Sequence, residues 1–212
     1  MAEIFQPTAE QQFFAPFGPV MGYFKMPDDL VTQLNAAMSD RLRDHSDHLV
    51  GKVSQELAFD DSLLTLAGSG LKKFIRDFHI FSRNRNSLGR YSEEGKQYNL
   101  QIVSGWFVRQ FEGEYNPLHI HTGCALSCVG YLKLPDGIEQ EWEEDYQDHH
   151  PSHGHIQFAH GTDTHYSFSN FMAKPRVGDF YIFPSNLFHC VYPFFTKGER
   201  RSFSMNLTVH EQ

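Results

Sequence analysis

Asn116-Pro117-Leu118-His119-Ile120-His121 is the stretch on which both fold and site turn. Asn116-Pro117 is a turn signal, and the residues after it are expected to run extended. In an extended chain, side chains two residues apart leave the same face, so the imidazoles of His119 and His121 stand roughly 6–7 Å apart at Cβ. Two ring nitrogens placed this way can converge on one ion. The third ligand is expected from His189, at the end of Phe183-Pro184-Ser185-Asn186-Leu187-Phe188-His189. A chain with 13 histidines in 212 residues contains such a pair about once by chance, so the pair alone decides nothing. The order of the pieces carries more. A His-x-His strand is followed by an insert, a Gly178-Asp179 turn into an apolar strand, a further histidine, and then Arg200-Arg201-Ser202 on the next strand.

Working outward, nearly everything from Asn99 onward comes in short segments rich in Val, Ile, Phe, Tyr and Thr, bounded by turn residues. Leu100 to Phe111 is expected to be one long strand and Ala125 to Leu134 the next. Phe180 to Phe183 is a third, followed by a short strand carrying His189. The last strand alternates Ser202, Ser204, Asn206 and Thr208 against Phe203, Met205, Leu207 and Val209, so one polar face is expected to line a cavity. Upstream, residues 1–19 are expected to be irregular and Val20 to Lys25 a strand. Pro27-Asp28-Asp29 opens a helix with an apolar stripe of Leu30, Val31, Leu34, Ala37, Met38 and Leu42. Gly68-Ser69-Gly70 is expected to punctuate the chain before a second helix bearing Leu71, Phe74, Ile75, Phe78 and Phe81. His45 and His48 are expected to be exposed. Many short strands without βαβ alternation make the chain mostly β. The expected architecture is an antiparallel jelly roll, or double-stranded β-helix, flanked by N-terminal helices. The 212 residues are expected to form a single domain, with residues 1–97 packing on a core of residues 98–212.

The formal net charge of -8 argues against a nucleic-acid backbone or an anionic membrane as a partner, since both attract basic surfaces. No stretch is apolar enough to span a bilayer and the start carries no leader pattern, so a cytoplasmic protein is expected. Cys124, Cys128 and Cys190 are an odd number, and the first two are expected on one strand, roughly 13 Å apart and too far to bridge. The insert 139–165 first gathers acidic residues and then His149, His150, His153, His155, His160 and His165. A hydrated loop acting as a lid is the favoured reading over a second metal site, with His155 to His160 as an edge strand.

The ordered pieces resemble the 2-oxoglutarate- and Fe(II)-dependent oxygenases. Trp106, the run His119 to Tyr131, the run Gly178 to His189 and the run Glu199 to Asn206 are similar to an uncharacterised bacterial and phage branch of that superfamily. The resemblance implies Fe(II) held by His119, His121 and His189, with 2-oxoglutarate as co-substrate and O2 as oxidant. It also implies that Arg200 and Ser202, with Tyr131 as a further donor, grip the far carboxylate of 2-oxoglutarate. Trp106 and Phe111 are expected as walls of the substrate cavity. The superfamily usually has a carboxylate where His121 stands, whereas His-x-His is usual in the branch. Three neutral ligands leave Fe(II) its full charge, which favours a dianionic co-substrate. The implied reaction is hydroxylation of a C–H bond in a protein side chain such as proline, or in a small metabolite. Two other readings stay open. One is a cupin-type three-His metalloenzyme without 2-oxoglutarate, and the other a non-catalytic jelly-roll binding protein. Iron affinity is expected to fall below pH about 6.5, where an ordinary imidazole protonates. Oligomeric state is not legible.

Overall fold

The structure is a computed structural model that describes residues 4–5, 10–14, 18–87, 90–143, 152–165 and 168–212. Its spine is a pair of long strands, β5 (Tyr98–Gln110) and β12 (Arg200–Glu211), in antiparallel register with Arg200 opposite Gln110, Ser202 opposite Val108 and Ser204 opposite Trp106. On the other side of β12 runs β7 (Leu126–Lys133), which sets Tyr131 opposite Ser202. The sheet continues through β10 (Asp179–Pro184) to β3 (Met21–Lys25) and β2 (Gln11–Phe14), and β4 (Gln55–Ala58) closes its other edge beside β5. A second, five-stranded sheet has the order β1 (Ile4–Phe5), β9 (Asn170–Ala173), β8 (Ile156–Ala159), β11 (Phe188–Val191) and β6 (Asn116–His119). Apart from the parallel pair of β1 and β9, all these pairings are antiparallel. This is the expected jelly roll, mostly β with helices added at the N-terminal side.

Period-two alternation sorts the large sheet's side chains into two cores. Phe180, Ile182, Phe203, Met205 and Leu207 face outward onto the helices α1 (Asp28–Ala37) and α2 (Asp61–Asn86), where they meet Leu30, Leu34, Leu63, Leu71, Phe74 and Phe78. Tyr181, Phe183, Val129 and Tyr131 face inward and pack with Phe158, Ile156 and Val191 of the small sheet. The polar alternates of β12, Ser202, Ser204 and Asn206, also face inward and line a cavity between the sheets.

Several expectations need correction. Helix α2 runs unbroken through Gly68 and Gly70, starting at an Asp60 cap whose side chain accepts from the Leu63 N–H at 2.9 Å. The two glycines let neighbours approach. A Cβ at Gly70 would come within 2.8 Å of Leu30, and one at Gly68 within 2.9 Å of Ile102. The first helix ends at Ala37, so Met38 and Leu42 pack on the core from the following loop. Strand β8 is not an edge, since β11 and β9 flank it on both sides. Cys124 precedes β7 instead of sharing it with Cys128, and all three cysteines are free thiols. The described part of the insert forms α3 (Ile138–Glu143) and β8, while its stretch 144–151, with His149 and His150, lies outside the described residues. No described helix is long and apolar enough to cross a membrane.

Candidate metal centre

The two sheets bring the three histidines together. His119 ends β6 and His189 lies directly opposite it on β11. His121 sits just past the strand end, held by its own N–H donating to the Ser185 carbonyl at 2.9 Å. The Ser185 hydroxyl in turn donates to the Cys124 carbonyl at 2.8 Å. The ring centroids of His119 stand 5.1 Å from those of His121 and 4.3 Å from those of His189. Nε2 of His121 and Nε2 of His189 are 3.2 Å apart, and one ligand atom from each ring lies within 4.8 Å of the other two. Such spacing suits a facial set of nitrogens around one cation.

The backbone sets the tautomers of two rings in the same way. His119 Nδ1 lies 2.7 Å from the Pro117 carbonyl and His189 Nδ1 lies 2.9 Å from the Leu187 carbonyl, each two residues back. Nδ1–H donates there, which leaves the Nε2 lone pair aimed at the common point, as a metal ligand requires. Burial depresses all three imidazoles, to about 4 for His121 and about 3 for His189, with His119 adding to both. His121 and His189 are therefore neutral well below the pH of about 6.5 expected from an ordinary imidazole, His119 is shifted in the same direction, and the donor set fits a ferrous ion.

Trp106, Ser202 and Arg200 share this cavity of about 330 Å³ with the three histidines. Arg200 is 2% exposed. Its Nη1 donates to Gln110 Oε1 at 2.8 Å, its guanidinium carbon lies 5.1 Å from the Tyr131 ring centre, and its Nε has no acceptor. Among the described residues it makes no ion pair. The neighbouring carboxylate is taken, since Glu199 binds Arg201 at 2.9 Å and Arg109 at 2.7 Å. Burial works against the charge on Glu199, but these two guanidinium groups hold its pKa down to about 2. Burial lowers the Arg200 pKa, partly offset by Tyr131. A buried cation without a counter-charge costs several kcal/mol, and among the described residues no carboxylate supplies one to this guanidinium.

Tyr131 lies behind Arg200 rather than on the cavity wall. It is fully buried, its hydroxyl lacks a well-formed hydrogen bond, and burial pushes its pKa up to about 12. Phe111 is a correction. Trp106, Val108 and Gln110 alternate inward, so Phe111 follows on the other parity, outside the cavity and against the Arg109 guanidinium at 5.8 Å. The mouth is built by a segment that sequence reasoning passed over. His45, Leu49, Val50 and Gly51 line it, whereas the described part of the insert contributes Ile156 alone. His45 turns in toward Trp106, ring centres 5.8 Å apart, instead of being exposed. Glu56 and Asn116 also line the cavity. His155 is 1% exposed, with Nε2 unpartnered and Nδ1 oriented by the His153 carbonyl. None of these carried a spacing signal. Their roles follow from pairings such as β4 with β5 that bridge distant segments.

Residues 104–206 match a family model described as "Putative 2OG-Fe(II) oxygenase". That span holds the three histidines, Arg200, Ser202, Tyr131 and Trp106. No curated protein matches the chain. Among solved structures, a Pseudomonas putida prolyl-4-hydroxylase is similar at 16% identity and TM-score 0.52, over 94% of this chain and 92% of that one. HygX from Streptomyces hygroscopicus, crystallised with nickel and 2-oxoglutarate, gives 10% identity and TM-score 0.52, over 88% and 82%. A Burkholderia pseudomallei oxidoreductase of the 2OG-Fe(II) oxygenase family gives 12% and 0.50, over 84% and 76%. At these identities the likeness is one of fold.

Proposed function

We propose a function from one premise, that across residues 104–206 this chain is an oxygenase of the 2-oxoglutarate/Fe(II) superfamily. In this reading His119, His121 and His189 hold Fe(II) through their Nε2 atoms. Arg200 grips the far carboxylate of 2-oxoglutarate with a planar fork that Lys could not reproduce, Ser202 adds a hydroxyl donor from the same strand, and Tyr131 backs the guanidinium from outside the cavity wall. Trp106 forms a wall beside His121, ring centres 5.8 Å apart. When bound, the metal and 2-oxoglutarate would let dioxygen act as the oxidant, one oxygen atom hydroxylating an unactivated C–H bond and the other ending in the succinate that forms as 2-oxoglutarate loses carbon dioxide. The chain itself orients the co-substrate, keeps the ligand nitrogens unprotonated and limits water access through the 45–51 segment. The substrate is a small molecule or a side chain of a peptide.

The observation that carries this reading is Arg200, a buried guanidinium that makes no ion pair among the described residues and shares its cavity with the histidine cluster. A three-His metalloenzyme that does not use 2-oxoglutarate has no need of it. The test is succinate formation from 2-oxoglutarate in air with Fe(II) added, alongside metal analysis. One iron per chain and 2-oxoglutarate-dependent succinate are expected. Stoichiometric metal with turnover unaffected by Arg200→Ala would move the protein to the cupin-type class. Failure to take up metal would leave only a jelly-roll binding protein.

A further inference from the structure

Part of the cavity lining has no role in the iron and 2-oxoglutarate assignment. Glu56 on β4 lines it and is 2% exposed, yet its side chain meets no hydrogen-bond donor of the described chain, and Oε2 is sealed from solvent without a partner. Asn116, on β6 three residues before His119, lines the same cavity with a buried, unpartnered Oδ1. The two side chains converge. A Cβ built on Gly51 would lie 2.3 Å from Asn116 Oδ1 and 3.1 Å from Glu56 Oε1, so a glycine is what lets both oxygens stand beside the same point. No Lys or Arg pairs with Glu56 among the described residues. Asp44 lies near enough for its charge to repel that of Glu56, and Arg200, which lines the same cavity, makes no ion pair with it. The wall around these acceptors is apolar toward the mouth, with Leu49, Val50 and Ile120.

A buried carboxylate and amide oxygen left without donors carry an uncompensated desolvation cost. Groups of this kind persist where a ligand supplies what is missing. Both are acceptors, so the complementary group is a donor, and against a carboxylate it is a cationic one. We infer that Glu56 and Asn116 form the specificity end of the substrate pocket and bind an ammonium or guanidinium carried on the substrate. Its aliphatic stem lies along Leu49, Val50 and Ile120 toward the histidine cluster. Asn116 and His119 are three residues apart on β6, roughly 10 Å between Cα atoms, so the cation is read at one end of the substrate and the oxidised carbon lies at the other. This inference rests on the oxygenase reading for what happens to the substrate, but the pocket is a property of the chain.

The test is isothermal titration of the protein, anaerobic and loaded with Fe(II) and 2-oxoglutarate, and repeated without either. The probes are matched in shape: free lysine against norleucine, free arginine against citrulline, glutamate as an anion, and a lysine-containing peptide with blocked termini. At least a tenfold preference for the cationic member of each pair is expected. The free amino acids and the peptide distinguish a metabolite from a basic side chain as the source. Glu56→Gln should erase the preference in protein that keeps its melting transition, Glu56→Asp should restore part of it, and Asn116→Asp should tighten lysine binding several-fold. Equal binding of lysine and norleucine, and of arginine and citrulline, overturns the inference. So does a folded Glu56→Gln protein that still prefers the cation. A preference that survives in protein unable to bind iron or 2-oxoglutarate upholds the pocket while overturning the oxygenase reading.

Discussion

At the scale of single residues, the informative groups are those whose burial is unbalanced. Arg200 is one. With Glu199 committed to Arg201 and Arg109, its charge has no ion-pair partner among the described residues, and a co-substrate dianion would supply one. Arg200→Lys keeps the charge but loses the fork, so the 2-oxoglutarate half-saturation point is expected to rise about 10- to 100-fold, in line with about 1.5–3 kcal/mol for a charge-assisted hydrogen bond. Arg200→Met should abolish co-substrate binding, while the melting temperature of unloaded protein does not fall, because an unpaired buried charge is removed. Glu56 is the other. Burial, with Asp44 adding to it, raises its pKa to about 7. Since the folded value lies above the unfolded one of about 4.5, ionisation opposes folding. The stability contributed by the protonated carboxyl is complete below about pH 4.5 and is lost as the pH rises to about 7. Glu56→Gln should therefore be more stable relative to wild type at pH 8 than at pH 5, by on the order of 1–3 kcal/mol. Melting curves at the two pH values check this, and a constant difference would contradict it.

At the scale of elements, close approach and alternation explain what the sequence disclosed and what it hid. The polar face of β12 was legible because Ser202, Ser204 and Asn206 alternate strictly with Phe203, Met205 and Leu207. The continuity of α2 was not, because glycine reads locally as a helix breaker, whereas Gly70 serves the packing of Leu30. Hidden for the same reason was the interior position of β8, since strand order is set by partners remote in sequence. Gly130 shows the packing constraint at its tightest. It lies opposite Phe203, and an added Cβ would fall 2.3 Å from that buried ring. Gly130→Ala is expected to destabilise by about 1–3 kcal/mol through overpacking. Chemical denaturation measures the loss, and Phe203→Leu in the same chain should recover part of it. An unchanged midpoint for the single variant would mean that the two sheet neighbours are looser than the structure shows.

At the scale of the whole molecule, two sheets hold chemistry that no one segment contains. The small sheet brings His119 and His189 face to face, and the large one sets Arg200, Ser202 and Tyr131 side by side through the pairing of β12 with β7. This much could be read from sequence, because histidine pairs and an Arg-x-Ser in fixed order are rare enough to mark themselves. The mouth could not. His45, Gly51 and Glu56 come from a polar stretch whose only distinction is that β4 pairs with Val108 and its neighbours some fifty residues on. A net charge of -8 coexists with a cavity lined by Arg200 and by three imidazoles that could hold a metal ion. The most direct measurement is anaerobic titration of the protein with Fe(II) and then 2-oxoglutarate, following the visible charge-transfer absorption. One equivalent of each is expected to saturate a band that His189→Ala fails to form and that Arg200→Ala forms only at much higher 2-oxoglutarate. A protein that binds iron but develops no band with 2-oxoglutarate, or whose band is indifferent to Arg200, would contradict it.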